Sequence, residues 1–206
     1  MQECQRHLKT SDLYLVFDRY HDYSPKGCTR AERANNLKHK HQFNLNTPLP
    51  PRNIALASST NKVKLIDIIC KYLIEKCPSI EKCLIVTGSD DTPYQIENGN
   101  LSARTDLKTT QEEADIIMIQ QLFAAAMSGA KVVKVICDDT DVFSLLCRHQ
   151  QIHKLNATIL MEETHLNKEI IDINKSIAQN TDVIESLLPL LAIMGCEKSM
   201  TLERRQ

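Results

Sequence analysis

Apolar residues along this chain fall into short continuous runs, separated by stretches in which they recur every three or four positions. Residues 13–17 (LYLVF), 53–57 (NIALA), 83–87 (CLIVT), 132–137 (VVKVIC) and 157–161 (ATILM) are the continuous runs. They are rich in β-branched residues and do not alternate with polar ones, which predicts strands buried on both faces, as in a parallel sheet. Between them, residues 60–76 carry Val63, Ile66, Ile69, Cys70 and Leu73 at helical spacing. Residues 111–128 carry Ile116, Ile119, Phe123 and Met127 on one stripe, with Gly129 as the expected stop. Residues 141–149 predict a shorter helix, and residues 182–194 a strongly apolar one with Pro189 inside it. Strands alternating with helices imply βαβ units and a layered α/β fold with a mostly parallel sheet. Residues 44–52 (NLNTPLPPR) read as a Pro-rich connection, and residues 88–107 as turns containing a hairpin.

Acidic residues occupy one kind of place in that pattern. Asp18 ends the run LYLVFD; Asp138, Asp139 and Asp141 end VVKVICDDTD; Glu112, Glu113 and Asp115 open the helix at Gln111. In a parallel α/β sheet, residues just beyond the carboxyl ends of strands converge on one edge, where ligands bind. Carboxylates gathered there repel unless a cation holds them. Hard oxygen donors are what Mg2+ or Mn2+ prefers, and such ions activate water against a phosphodiester. Each acid also has a plain structural reading. Thr110-x-x-Glu113 is a capping box, Asp141 is a candidate N-cap, and Asp18 could close a turn.

The segments VFDRY, QEEAD and CDDTDVFSLL, followed by LLPLLAIMGCE, resemble the PIN-like nucleases of the flap-endonuclease branch. Within it they look closest to asteroid-like or transposon-associated animal proteins. The resemblance runs from Leu13 to Glu197. It matches Asp18 to the family's V-F-D aspartate, Glu113 and Asp115 to its E-x-E pair, and Asp139 and Asp141 to its D-x-D pair. Glu197, in Gly195-Cys196-Glu197, stands where the family has Asp. It implies a three-layer α/β/α fold over residues 13–200, flanked by a polar segment 1–12 and a polar tail 201–206. It further implies catalytic roles for Asp18, Glu113, Asp115, Asp139 and Asp141. Glu113, Asp115, Asp139, Asp141 and Glu197 become the implied ligands of Mg2+ or Mn2+, and DNA or RNA the implied partner. The family also begins with a strand ending in an acid. Nothing before Leu13 supplies one, and Glu3 lies in a polar stretch too short for it. The fold is therefore expected to lack that first strand, which leaves a catalytically degenerate binding module as the alternative function.

Residues 26–41 are basic, and Lys26, Arg30 and Arg33 are candidate phosphate contacts, with a solvated helix face as the other reading. Net charge is −1, so bulk charge makes no case for nucleic acid and local patches must. At 42% apolar and 25% charged over 206 residues, the chain can bury a core, and with 4% aromatics that core is aliphatic. Eight cysteines occur without any CxxC pair, several inside apolar runs, which fits free thiols in an intracellular protein of nucleus or cytoplasm. Cys28, His39 and His41 fit no closed zinc site. With five glycines there is no phosphate-binding Gly-rich loop. The N-terminus lacks a signal-peptide core, and no run reaches the length of a membrane span.

Overall fold

A computed structural model describes residues 2–20, 43, 44, 46, 48–56, 58–76, 82–164, 169–187 and 189. The chain divides into two compact units, Met1–Met118 and Ile119–Gln206. Both are α/β, as the alternation of patterns predicts.

The first unit is built on a four-stranded sheet in the order β1 (Leu13–Val16), β2 (Leu84–Thr87), β3 (Tyr94–Glu97), β4 (Asn100–Ala103). β1 and β2 run parallel, and β2–β3 and β3–β4 run antiparallel. All four residues of β2 are buried, as its unbroken apolar run requires. The β3–β4 hairpin turns at Asn98 and Gly99, both at positive φ (50° and 76°). That pair of left-handed residues gives the tight turn whose twist matches the strands. Helix α1 (Gln2–His7) precedes β1, α2 (Arg52–Ala55) follows it, and α3 (Ser59–Lys76) leads towards β2.

Leu8, Leu73, Leu84, Val86 and Ile96 form a buried cluster, with Cys4, Leu13, Leu15, Cys70 and Ile74 packed against it. The polar segment ahead of β1 is thus part of this unit's core. A six-residue helix is not stable by itself; burial of Leu8, directly after it, contributes about 1.5–3 kcal/mol towards holding it.

Two expectations fail here. Residues 53–56 form no strand, and Ala57 lies outside the described residues; Arg52–Ala55 is helical. Pro51, at φ −47°, offers its carbonyl to the amides of Ile54 (2.9 Å) and Ala55 (3.0 Å), closing a turn before any strand can pair. Among the described residues of this run only Ala55 is buried; Ile54 and Leu56 are exposed. Nor is the sheet mostly parallel. The hairpin reverses the chain at its far edge, and the second unit repeats the pattern.

In the second unit the order is β5 (Val132–Ile136), β6 (Thr158–Glu162), β7 (Ile170–Asp172), with β5 and β6 parallel and β7 antiparallel. Helix α5 (Thr140–His153) joins β5 to β6, and α6 (Ile173–Gln179) follows β7. Asp172 caps α6 by accepting from the Lys175 amide at 3.1 Å. Residues 181–187 and 189 are helical, including Pro189; the rest of the expected apolar helix lies outside the described residues. No helix among the described residues is long and apolar enough to cross a membrane.

Helix α4 (Ala114–Met127) runs from one unit into the other. It stops as expected at Gly129, φ 99°. The Ala130 amide donates to Ala125 and the Gly129 amide to Ala126, both at 3.1 Å, which satisfies the last carbonyls.

Candidate functional site

Phe17 extends the β1 ladder by donating its amide to the Thr87 carbonyl (3.1 Å), which brings Asp18 to the carboxyl end of the parallel pair. The Asp18 Oδ1 accepts from the Ala114 amide at 2.9 Å, across 96 residues of sequence, and its Oδ2 accepts from the Tyr20 hydroxyl at 3.4 Å. Ala114 is the first residue of α4, so Asp18 satisfies one of the free amides at a helix start and puts a negative charge at the positive end of its dipole.

That contact changes the reading of QEEAD. The helix begins three residues later than Gln111, and Thr110 is not its cap. The Glu113 carbonyl accepts the first helical bond, from the Ile117 amide at 3.1 Å. Glu113 therefore stands at the N-cap position and Asp115 in the first turn, both half-buried. The Glu112 carbonyl accepts from the Arg19 amide at 2.8 Å.

In the second unit, Asp138, Asp139 and Asp141 are exposed beyond the end of β5. Asp139, not Asp141, caps α5: its Oδ1 accepts from the Asp141 amide at 2.9 Å, and its carbonyl accepts from the Phe143 amide at 3.2 Å. Asp141 lies one residue inside the helix, where its carboxylate favours the dipole instead of closing it. Asp138 bonds the backbone amide of Thr164 at 2.6 Å and also its hydroxyl, tying the exit of β5 to the exit of β6.

Each unit thus holds acids at the end of a parallel strand, Asp18, Glu113 and Asp115 in one and Asp139 and Asp141 in the other. Their donors are carboxylate oxygens throughout, the chemistry that suits Mg2+ or Mn2+. A carboxylate has about four acceptor sites, so capping by Asp18 or Asp139 leaves acceptor capacity on each. Among the described residues, however, no group of three or more His, Cys, Asp or Glu is placed to hold a metal ion. Glu197 and the basic residues Lys26, Arg30 and Arg33 lie outside the described residues.

Among the described residues, no cysteine has the environment of a nucleophile shown for it. Among the described residues Cys4, Cys70, Cys83, Cys137 and Cys147 are free thiols. Burial pushes Cys70, Cys83 and Cys147 up to about 11, far from the thiolate a nucleophile needs.

Arg19 was not legible as a site residue. It is fully buried, and its guanidinium donates to four backbone carbonyls: Gly88 (3.2 Å), Asp91 (3.2 Å), Thr109 (2.5 Å) and Gln111 (3.1 Å). The only local signal was its place directly after Asp18.

No family model matches the chain, and no curated protein or solved structure is significantly similar to it.

Proposed function

We propose that this chain is a PIN-like, flap-endonuclease-like domain of three-layer α/β/α design that hydrolyses phosphodiester bonds of DNA or RNA with Mg2+ or Mn2+. One observation carries the reading. Asp18, at the end of a parallel strand, is hydrogen-bonded to the first amide of the helix that bears Asp115. Two motifs nearly a hundred residues apart in sequence are joined at one strand end, which supports this reading.

In this reading Glu113, Asp115, Asp139, Asp141 and Glu197 are metal ligands, and Asp18 completes the catalytic acids. When bound, Mg2+ or Mn2+ would supply an activated water and neutralise charge developing on the phosphate. The carboxylates supply hard oxygen donors, and the helix starts hold those donors in place. Lys26, Arg30 and Arg33 supply phosphate contacts.

The test is Mn2+-dependent cleavage of flap and single-stranded oligonucleotides by the purified chain. Asp139→Asn is the informative variant, because Asn caps a helix as well as Asp does. The fold is kept while the anionic ligand is lost. Cleavage is expected to fall by about a hundredfold, the scale on which losing one preorganised electrostatic group acts. No cleavage by the wild type, or cleavage untouched by Asp139→Asn, would sink the catalytic reading.

A second reading has its own support. A catalytically degenerate module, binding nucleic acid or protein without turnover, fits the lack of a three-carboxylate group among the described residues. Calorimetric titration separates the two. Mn2+ binding that disappears in the Asp139→Asn, Asp141→Asn double variant favours a working metal site, and no binding by the wild type favours the degenerate module.

A further inference from the structure

Arg19 has no part in the function proposed above, yet its side chain bonds backbone carbonyls of two separate loops. It is 0% exposed. Its backbone amide donates to Glu112, and its guanidinium donates to Gly88 and Asp91 on one side and to Thr109 and Gln111 on the other. Asp91 also faces it through a carboxylate at 3.9 Å. The first pair belongs to the loop after β2, and the second to the turn that ends at the start of α4. Asp18, the immediate neighbour of Arg19, caps that same start.

We infer that Arg19 is a positioning residue that fixes the separation between Asp18 and the turn bearing Glu112, Glu113 and Asp115. A guanidinium is planar and directs five N–H donors in fixed directions. Four carbonyls bound to one rigid fork cannot drift independently. The turn at Thr109–Gln111 is thereby held against the exit of β1, and the Ala114 amide is held within reach of Asp18. An ammonium in the same place keeps the charge but has three donors on a flexible stem, so it cannot span both loops. As it bears on cation binding, the inference rests on the proposed function; as it bears on geometry, it does not.

The experiment compares wild type, Arg19→Lys and Arg19→Met by amide hydrogen exchange, with Mn2+ titration on the same samples. Exchange at Ala114 is expected to speed up by at least about tenfold in Arg19→Lys, equivalent to about 1.4 kcal/mol of lost local protection. The amides of β2 in the same sample should keep their wild-type rates, which a merely structural loss of stability would not allow. Mn2+ affinity should fall in step with Ala114 protection. If Arg19→Met does not fold, Arg19→Lys alone decides. Ala114 and β2 amides changing together, or Ala114 not changing, would overturn the positioning role. If the wild type binds no Mn2+, the metal reading fails while the exchange result still decides the role of Arg19.

Discussion

The His149 ring lies edge-on to Phe123, with centroids 5.7 Å apart, and parallel to the His153 ring at 5.8 Å. Its Nδ1 is buried without a hydrogen-bond partner among the described residues. Burial, then the neighbouring His153 and Arg148, hold it below the ordinary histidine value of 6.5. A histidine kept neutral in the folded state binds fewer protons than the unfolded chain does. Its contribution to stability is whole above the ordinary value and is lost as pH falls below it. The urea midpoint should therefore drop between pH 7 and pH 5, and His149→Leu should flatten that dependence; an unchanged slope in the variant would refute the assignment. Gly88 carries a second residue-scale prediction. A Cβ there would meet the Cys70 Sγ at 2.8 Å, and Cys70 is packed against the core. Gly88→Ala should destabilise by about 1–3 kcal/mol, as overpacking does. Adding Cys70→Ala should return part of that loss, measured by the same urea midpoint.

At the scale of elements, local chemistry and burial behaved differently. Four of the five strand runs, the α3 helix and the Gly129 stop were readable, because each depends on neighbours within a few residues; the run at 53–57 was not. The buried face of α4 was not. Ile117, Ile119 and Leu122 are buried, whereas Met127 is 81% exposed. A helix apolar on most sides has no single stripe to read, and packing chooses its inward face. β5 departs from its pattern in the same way. Its run predicts burial on both faces, as β2 shows, but Val132 and Ile136 are 58% and 40% exposed. Lys134, between them on that face, pairs with Glu162 of β6 at 2.7 Å. The acids were legible as helix-start residues, but which one caps was decided by a single hydrogen bond, that of Asp139 to the Asp141 amide.

Across the whole molecule the thiols set an alkaline limit. Cys70, Cys83 and Cys147, in both units, are raised from 9.0 to about 11, chiefly by burial. A raised folded pKa means that the folded state holds its protons more tightly. The stability this provides is complete below pH 9 and is lost as pH rises towards 11. Unfolding by urea should become easier over that window. At pH 8 the same thiols should react with a disulfide reagent far more slowly in native than in urea-unfolded protein; equal rates would show that they are not shielded.

What the sequence determined by itself is the kind of element at most positions, the acids at strand ends and helix starts, and the turn and cap signals. Those follow from periodicity, backbone freedom and bonds between near neighbours. The tertiary structure decided the rest. It made residues 52–55 a helix, gave both sheets mixed pairing, buried Leu8 in the core, and placed Asp18 on the Ala114 amide with Arg19 sealed beneath. These outcomes depend on which distant segments meet. Partners 69 to 96 residues apart are brought together by chain closure around a shared core, and no local pattern encodes that.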